Sequence, residues 1–512
     1  MLGGVSGFFG QKVDHPLADA RELKGVLAGL PIDNAFKSLD EIAGWFESLQ
    51  AAVDFPEDLL FDVVRQLDEA GQPHVRRLSR DYLHTPRLSK NEEKRLWSIV
   101  HGFWVLAAAN YERCLQRAGQ QKDKVAERLQ PSLPLLAVRL LTALSSVVKW
   151  HQFRYGPLQG ETWERMGRAY LMAEASQYAD KAVKCYPNSA GTTSATREYL
   201  KALVFQASSM DSLLPVEIEL AQRLINHFLP GFIFSAKYDS ESVYWVNPTT
   251  QQPPTRLATM PTASPTLRFF QPGTAITAAE AMLHEFERGA DVPADLDLGG
   301  QYQPRTLLPV LRHLSSYWSK VPPQRRHERH RVKHRMSVLN GLVNAFVAYS
   351  GEFGGRPAGL PVESWVVENV SRGGFGAMIS DVRSDWLKVG ALVALQPEGG
   401  DNWLLGVVRR YHRQSENEAR VGVQVIARQV LSVELKPRTA STYAAVTGIP
   451  GLWLQDDNEP GEARVVMPPA SFDVRESLEF DHEGKRHLLS PVALLEHTMD
   501  YEVARYRLLV AE

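Results

Sequence analysis

At 512 residues the chain is too long for a single ordinary core, so two to four domains are expected. Its composition, 44% hydrophobic and 23% charged, is that of a globular protein. A formal charge of −2 at pH 7 excludes polyanion binding by the molecule as a whole, and any basic site has to be local. Cys114 and Cys185 both fall in helical patterns and offer neither a disulfide framework nor metal spacing, so a reducing cytoplasm is expected. Met1 to Pro16 lacks the basic and apolar regions of a signal peptide. Leu133 to Trp150 is strongly apolar but carries Arg139 and Lys149, and reads as a buried helix rather than a membrane span.

Residues 1–230 read as a helical domain. Leu59, Leu60, Val63, Val64 and Leu67 share one face of a helix opened near Asp54. Ser89 and Glu92 form a capping-box pattern at the head of another that runs to Gly119. Leu135 to His151 is a third helix, and Pro215 to Phe228 a later one. Trp163 to Tyr170, with Ala179, matches the opening of a tetratricopeptide repeat, but no second copy follows in register, which favours an ordinary helical domain. Residues 231–320 are a mixed connecting region. Within it, 232–238 and 242–246 suggest a hairpin, 247–265 a polar linker, 275–288 and 305–319 helices, and 289–304 a mobile acidic turn region.

After Pro323 the period becomes two. Strands are expected at 337–349, 363–370, 376–380, 390–396, 403–413 and 420–426, and six short antiparallel strands imply a small closed barrel over 321–436. A further set of strands in 437–512 suggests a second, small β module in which no chemistry stands out. The expected class is therefore multidomain α+β: an all-α N-terminal domain, a six-stranded antiparallel barrel and a C-terminal β module.

The candidate chemistry sits at the entry to the first barrel. Residues 321–336 hold six Lys/Arg against one Glu, a local net of +5, with Arg325, Arg326, Arg329, Arg331 and Arg335 among them. Downstream, Asn369, Ser371 and Gly374 give Asn-x-Ser-x-x-Gly. Guanidinium forks bind phosphate oxygens and the O6/N7 edge of guanine, Asn and Ser supply short polar groups, and glycine permits close approach to the backbone. Arg-x-x-x-Arg (Arg331 and Arg335, or Arg325 and Arg329) followed by Asn-x-Ser-x-x-Gly resembles the PilZ family, over residues 322–436. The resemblance implies a β-barrel that binds cyclic di-GMP. On that basis Arg331, Arg335, Asn369, Ser371 and Gly374 are the expected ligand residues. Arg325, Arg326 and Arg329 would form an outer ring, and Trp403 is a stacking candidate that serves equally as core.

The plain meaning of the basic run is a solvated linker, and its rival use is RNA or DNA binding by counterion release. Order and context favour the cyclic dinucleotide: the run directly precedes a barrel pattern, and the Asn motif ends one of its strands. Gly373 to Gly376 is no dinucleotide loop, because strands rather than a helix N-terminus flank it. His327, His330 and His334 lack an acidic or thiolate partner for a metal. No nucleophile elbow, zinc-protease helix or phosphate-cradling Lys loop is present, nor anything resembling the Gly-Gly-Asp-Glu-Phe or Glu-Ala-Leu hallmarks of enzymes that make or destroy cyclic di-GMP. A cytoplasmic receptor with no catalytic residue, metal or cofactor is expected, cyclic di-GMP being its ligand and the helical domain its contact with an unknown protein partner. The alternative is a PilZ-like scaffold that binds no ligand and acts through that domain alone.

Overall fold

The computed structural model describes residues 15–85, 88–120, 124–157, 159–321, 323, 327–350, 360–382, 386–415, 417–438, 448–456 and 458–511. They fall into two compact bodies. The first takes in most of the chain up to residue 323; the second takes in 155–157, 211–214 and the described residues from 327 onward.

The first body is built from α1 (Ala20–Ala28), α2 (Ala35–Ala51), α3 (Glu57–His84), α4 (Lys90–Gln120), α5 (Lys124–Leu129), α6 (Leu133–Phe153), α7 (Glu161–Ala175), α8 (Ala195–Ala207), α9 (Pro215–Phe228), α10 (Thr274–Glu287) and α11 (Pro304–Trp318). Several of their starts are fixed by capping side chains. Asp19 accepts from the Arg21 amide at 2.7 Å and Asn34 from that of Lys37 at 3.0 Å. The Ser89–Glu92 box forms as the sequence implies: Glu92 accepts from the Ser89 amide at 3.2 Å, and Ser89 Oγ from the Glu92 amide at 3.3 Å. The apolar run 133–150 lies in α6, the central core helix, and even Arg139 within it is buried. Ala179 lies past the end of α7 in irregular chain, so the partial repeat pattern builds no repeat unit there.

The expected hairpin does not form. β1 (Ile233–Ser235) and β2 (Tyr244–Val246) both pair with β4 (Arg268–Gln271) rather than with each other, and β3 (Thr255–Arg256) adds to the far side of β2. β4 is buried at every residue, and its adjacent Phe269 and Phe270 suit a central strand covered on both faces. Residues 289–304 are irregular as expected, but they are pinned by buried Leu296 and Leu298.

The second body holds two closed six-stranded antiparallel barrels. The first consists of β5 (His330–Asn340), β6 (Glu363–Ser371), β7 (Gly374–Ile379), β8 (Leu392–Pro397), β9 (Leu404–Arg413) and β10 (Ala419–Ala427), ordered β10-β7-β6-β5-β8-β9. Its first strand departs from expectation. It begins inside the basic segment and stops at Asn340, and Gly341 at φ +77° turns the chain into a helix, α12 (Gly341–Tyr349). The apolar residues there fit either period. Leu342, Ala345, Phe346 and Tyr349 recur at helical spacing and cover one side of the barrel. Inside the barrel Val338, Trp365, Val367, Val393, Leu395 and Val408 are sealed from solvent, joined by Tyr155 from the short excursion 155–157.

The second barrel comprises β11 (Val430–Pro437), β12 (Ile449–Leu454), β13 (Glu462–Met467), β14 (Leu478–His482), β15 (Lys485–His497) and β16 (Glu502–Ala511), ordered β11-β12-β13-β16-β15-β14. The barrels share one apolar seam. Leu339, Leu392, Leu405 and Val407 of the first and Leu342 of α12 meet Val430, Leu452, Leu454 and Tyr501 of the second.

Candidate functional site

On β5, Val332 and Met336 face the barrel core, so Arg331, Lys333 and Arg335 project outward, and all three are exposed. Antiparallel pairing then sets their neighbours. Arg331 lies directly across from Asn369 of β6, and Asn369 lies across from Gly376 of β7. A register shift between Val367 and Asn369 interrupts the alternation of β6, the kind of irregularity that re-aims a side chain. Asn369 comes to rest over Gly376, where an added Cβ would fall 2.7 Å from Asn369 Nδ2. Gly376 in turn faces Gly422 of β10, so two neighbouring strands carry no side chain of their own at this level, and Asn369 covers the first of them.

The turn after Asn369 is braced from several sides. Ser371 Oγ donates to the Gly374 carbonyl at 3.1 Å, and the Val425 amide to that of Gly373 at 3.0 Å. Arg428 Nη2 donates to the Arg372 carbonyl at 2.8 Å. The His327 ring lies against Gly373, which brings the chain before β5 onto the motif turn. Gly374 is required by packing: a Cβ there would stand 2.0 Å from the Val423 carbonyl oxygen.

The electrostatics favour an anion. Among the described residues, Arg331, Lys333, Arg335 and Arg372 make no ion pair, whereas Glu368, the nearest acid on β6, is matched by Arg420 at 3.4 Å. Asn369 Oδ1 is buried and has no hydrogen-bond partner among them. An unsatisfied buried amide next to unpaired guanidiniums is poised to bind something that supplies both donors and negative charge.

The structure brings together Arg331, Asn369, Ser371 and Gly374 of the sequence-derived set. Arg335 stands further along β5, level with Val366, and its Nη1 is 3.4 Å from Ser364 Oγ; it borders a separate hollow of about 330 Å³ with Glu363 and Glu398. Arg329 is exposed just before β5, while Arg325 and Arg326 lie outside the described residues. Trp403 is not at this site. It packs into the seam between the barrels, and its neighbour Leu404 is level, through Leu395, with Val338, seven residues along β5 from Arg331. At about 3.3 Å per residue that is roughly 20 Å away. Gly422, Arg372, Arg428 and His327 were not foreseen as site residues. A glycine inside a strand pattern was the readable signal for the first.

Residues 21–237 match the family model described as Cyclic-di-GMP receptor FimW, N-terminal domain. The matched stretch is largely helical up to the first short strand and contains no strand of either barrel. Over that stretch the chain is therefore similar to a cyclic di-GMP receptor, a family described by binding rather than by catalysis. No curated protein matches the chain.

Proposed function

We propose that the protein is a cytoplasmic cyclic di-GMP receptor of PilZ type, which binds the messenger on the outer wall of the first barrel. The observation that carries this reading is the row Arg331–Asn369–Gly376, with an unpaired guanidinium, an unsatisfied amide and a glycine on neighbouring strands. Arg331 offers its fork to a phosphate or to the guanine O6/N7 edge, Asn369 pairs with a base or phosphate edge, and the glycines admit the ligand to the backbone. Ser371 and Gly374 hold the turn, and Arg335 adds charge from further along β5. Arg325, Arg326 and Arg329, upstream of the strand, close over the ligand. Gathering these charges changes how the helical body meets a protein partner. The helical similarity to a cyclic di-GMP receptor supports the reading from outside the barrel.

Calorimetric titration of the full chain with cyclic di-GMP, against GTP and cyclic GMP, tests it. The messenger binds and the controls do not, and Arg331→Ala weakens binding about tenfold or more, as the loss of one charge-assisted contact of about 1.5–3 kcal/mol requires. Absence of binding to the intact chain would return the protein to the scaffold reading, and unchanged affinity in R331A would remove Arg331 from the site.

A further inference from the structure

The first body contains a cleft of about 670 Å³, bordered by α3, α8 and the loop 186–193, with Arg76, Tyr186, Thr192, Arg197, Lys201 and Asn226 in its lining. That volume lies within the usual range for small-molecule sites.

Behind its wall lies a buried ionic group. Arg139 of α6 donates to Asp68 and Glu69 of α3, each at 2.7 Å. Tyr111 Oη and Gln72 Nε2 also donate to Asp68, at 2.7 Å and 2.6 Å. The Arg139 guanidinium covers the Tyr186 ring at 3.9 Å, and Tyr186 Oη reaches Asp68 at 3.3 Å. A buried ion pair is a poor source of stability, since desolvation cancels most of its attraction. Its local consequence is to hold Tyr186, half-buried in the cleft lining, in a fixed position.

Charge matching then selects the ligand. Three acids line the cleft, and each has its own cation: Glu69 has Arg139, Glu198 has Lys201, and Asp297 has Arg223. Two lining cations remain, Arg76 on α3 and Arg197 on α8, and neither side chain has an ionic or hydrogen-bond partner among the described residues. The hydroxyl-rich loop carrying Ser189, Thr192 and Thr193 borders the same space.

We infer that this cleft binds a nucleoside monophosphate, the phosphate held by Arg76 and Arg197 and the base lying against Tyr186. Planar guanidinium forks suit phosphate, and a fixed aromatic plate suits a base. The site is independent of the barrel.

The test is equilibrium binding of GMP and AMP to the full chain, with ribose 5-phosphate and inorganic phosphate as comparators. A nucleotide binds about tenfold or more tightly than ribose 5-phosphate, and the double variant R76A/R197A weakens it by at least a similar factor. Arg80→Ala, an exposed charge one turn further along α3 that does not line the cleft, leaves binding unchanged. Both cleft arginines are exposed, so the double variant folds, which its melting temperature checks. No nucleotide binding, equal affinity for ribose 5-phosphate, or equal loss in R80A overturns the inference. Loss of nucleotide binding in R331A but not in R76A/R197A would place the nucleotide on the barrel and likewise overturn the inference.

Discussion

Asn369 and Gly374 stand five residues apart in one motif, yet they do different work, and substitution separates them. The Asn369 amide makes no hydrogen bond among the described residues, so truncating it removes no bond and relieves an unsatisfied buried group. N369A is therefore expected to keep or slightly raise the melting temperature while losing affinity for cyclic di-GMP. Gly374→Ala drives a methyl into the Val423 carbonyl, backbone that cannot swing aside, and should lower stability by about 1–3 kcal/mol in denaturant titration. Gly376→Val is intermediate: the obstacle is the end of the Asn369 side chain, which can move, so the fold persists and the site is spoiled. If N369A melted as early as G374A, the amide would be structural. The motif residues could be singled out in the sequence by residue type and spacing, and strand pairing brings Arg331, Asn369, Ser371 and Gly374 together. Trp403 could not be placed that way, because an aromatic at the start of a strand looks the same whether it faces a ligand or a neighbouring barrel.

Among elements, the α4–α6 contact has a charge-state dependence that can be measured. His101 on α4 and His151 on α6 approach at 3.1 Å between ring nitrogens, and His101 stacks on Trp97 at 4.4 Å. Burial lowers the pKa of both imidazoles, and proximity to His151 adds to the effect on His101, which falls to about 3. In the unfolded chain each titrates near the ordinary value of about 6.5. Below that pH the unfolded state binds more protons, so folding stability is full above about pH 6.5 and declines as the pH falls. The slope from one such histidine approaches about 1.4 kcal/mol per pH unit. Melting temperatures taken from about pH 7 to about pH 5 should fall, and His101→Phe should make the fall shallower; parallel curves would show that the pair titrates freely. The helices themselves were legible from caps and apolar spacing, as at Ser89 and Pro215. Partnerships were not. β1 and β2 were visible as strands, but β4, which separates them, arrives over twenty residues after β2, and local periodicity says nothing about such a pairing.

In the whole second body, the two barrels stand or fall together. The strands of residues 437–512 could be read from alternation, yet their closure into a barrel depends on β13–β16 and β11–β14 contacts that no local pattern encodes. β11 follows β10 after a turn of two residues, but it belongs to the second barrel. The seam buries Leu339, Leu392, Leu405 and Val407 of the first barrel almost completely. Ending the chain after Ala427 would strip their cover and leave four large aliphatic side chains in water, each worth about 1.5–3 kcal/mol when fully buried. At the edge of the seam Arg409 binds Glu496 through two bonds of 2.9 Å, and Tyr501 Oη donates to the same carboxylate at 3.0 Å. The chain ended after Ala427 is thus expected to aggregate or bind a hydrophobic dye, whereas the full chain, which keeps the second barrel, stays soluble and binds none. Glu496→Ala in the full chain leaves Arg409 half-buried without its partner and should cost about 1–2 kcal/mol, below the cost at a fully buried pair because both groups retain solvent contact. A truncated chain that remained monomeric and melted as high as the full one would show that the seam joins two independent modules, and the proposed site on the first barrel would then need no support from the second.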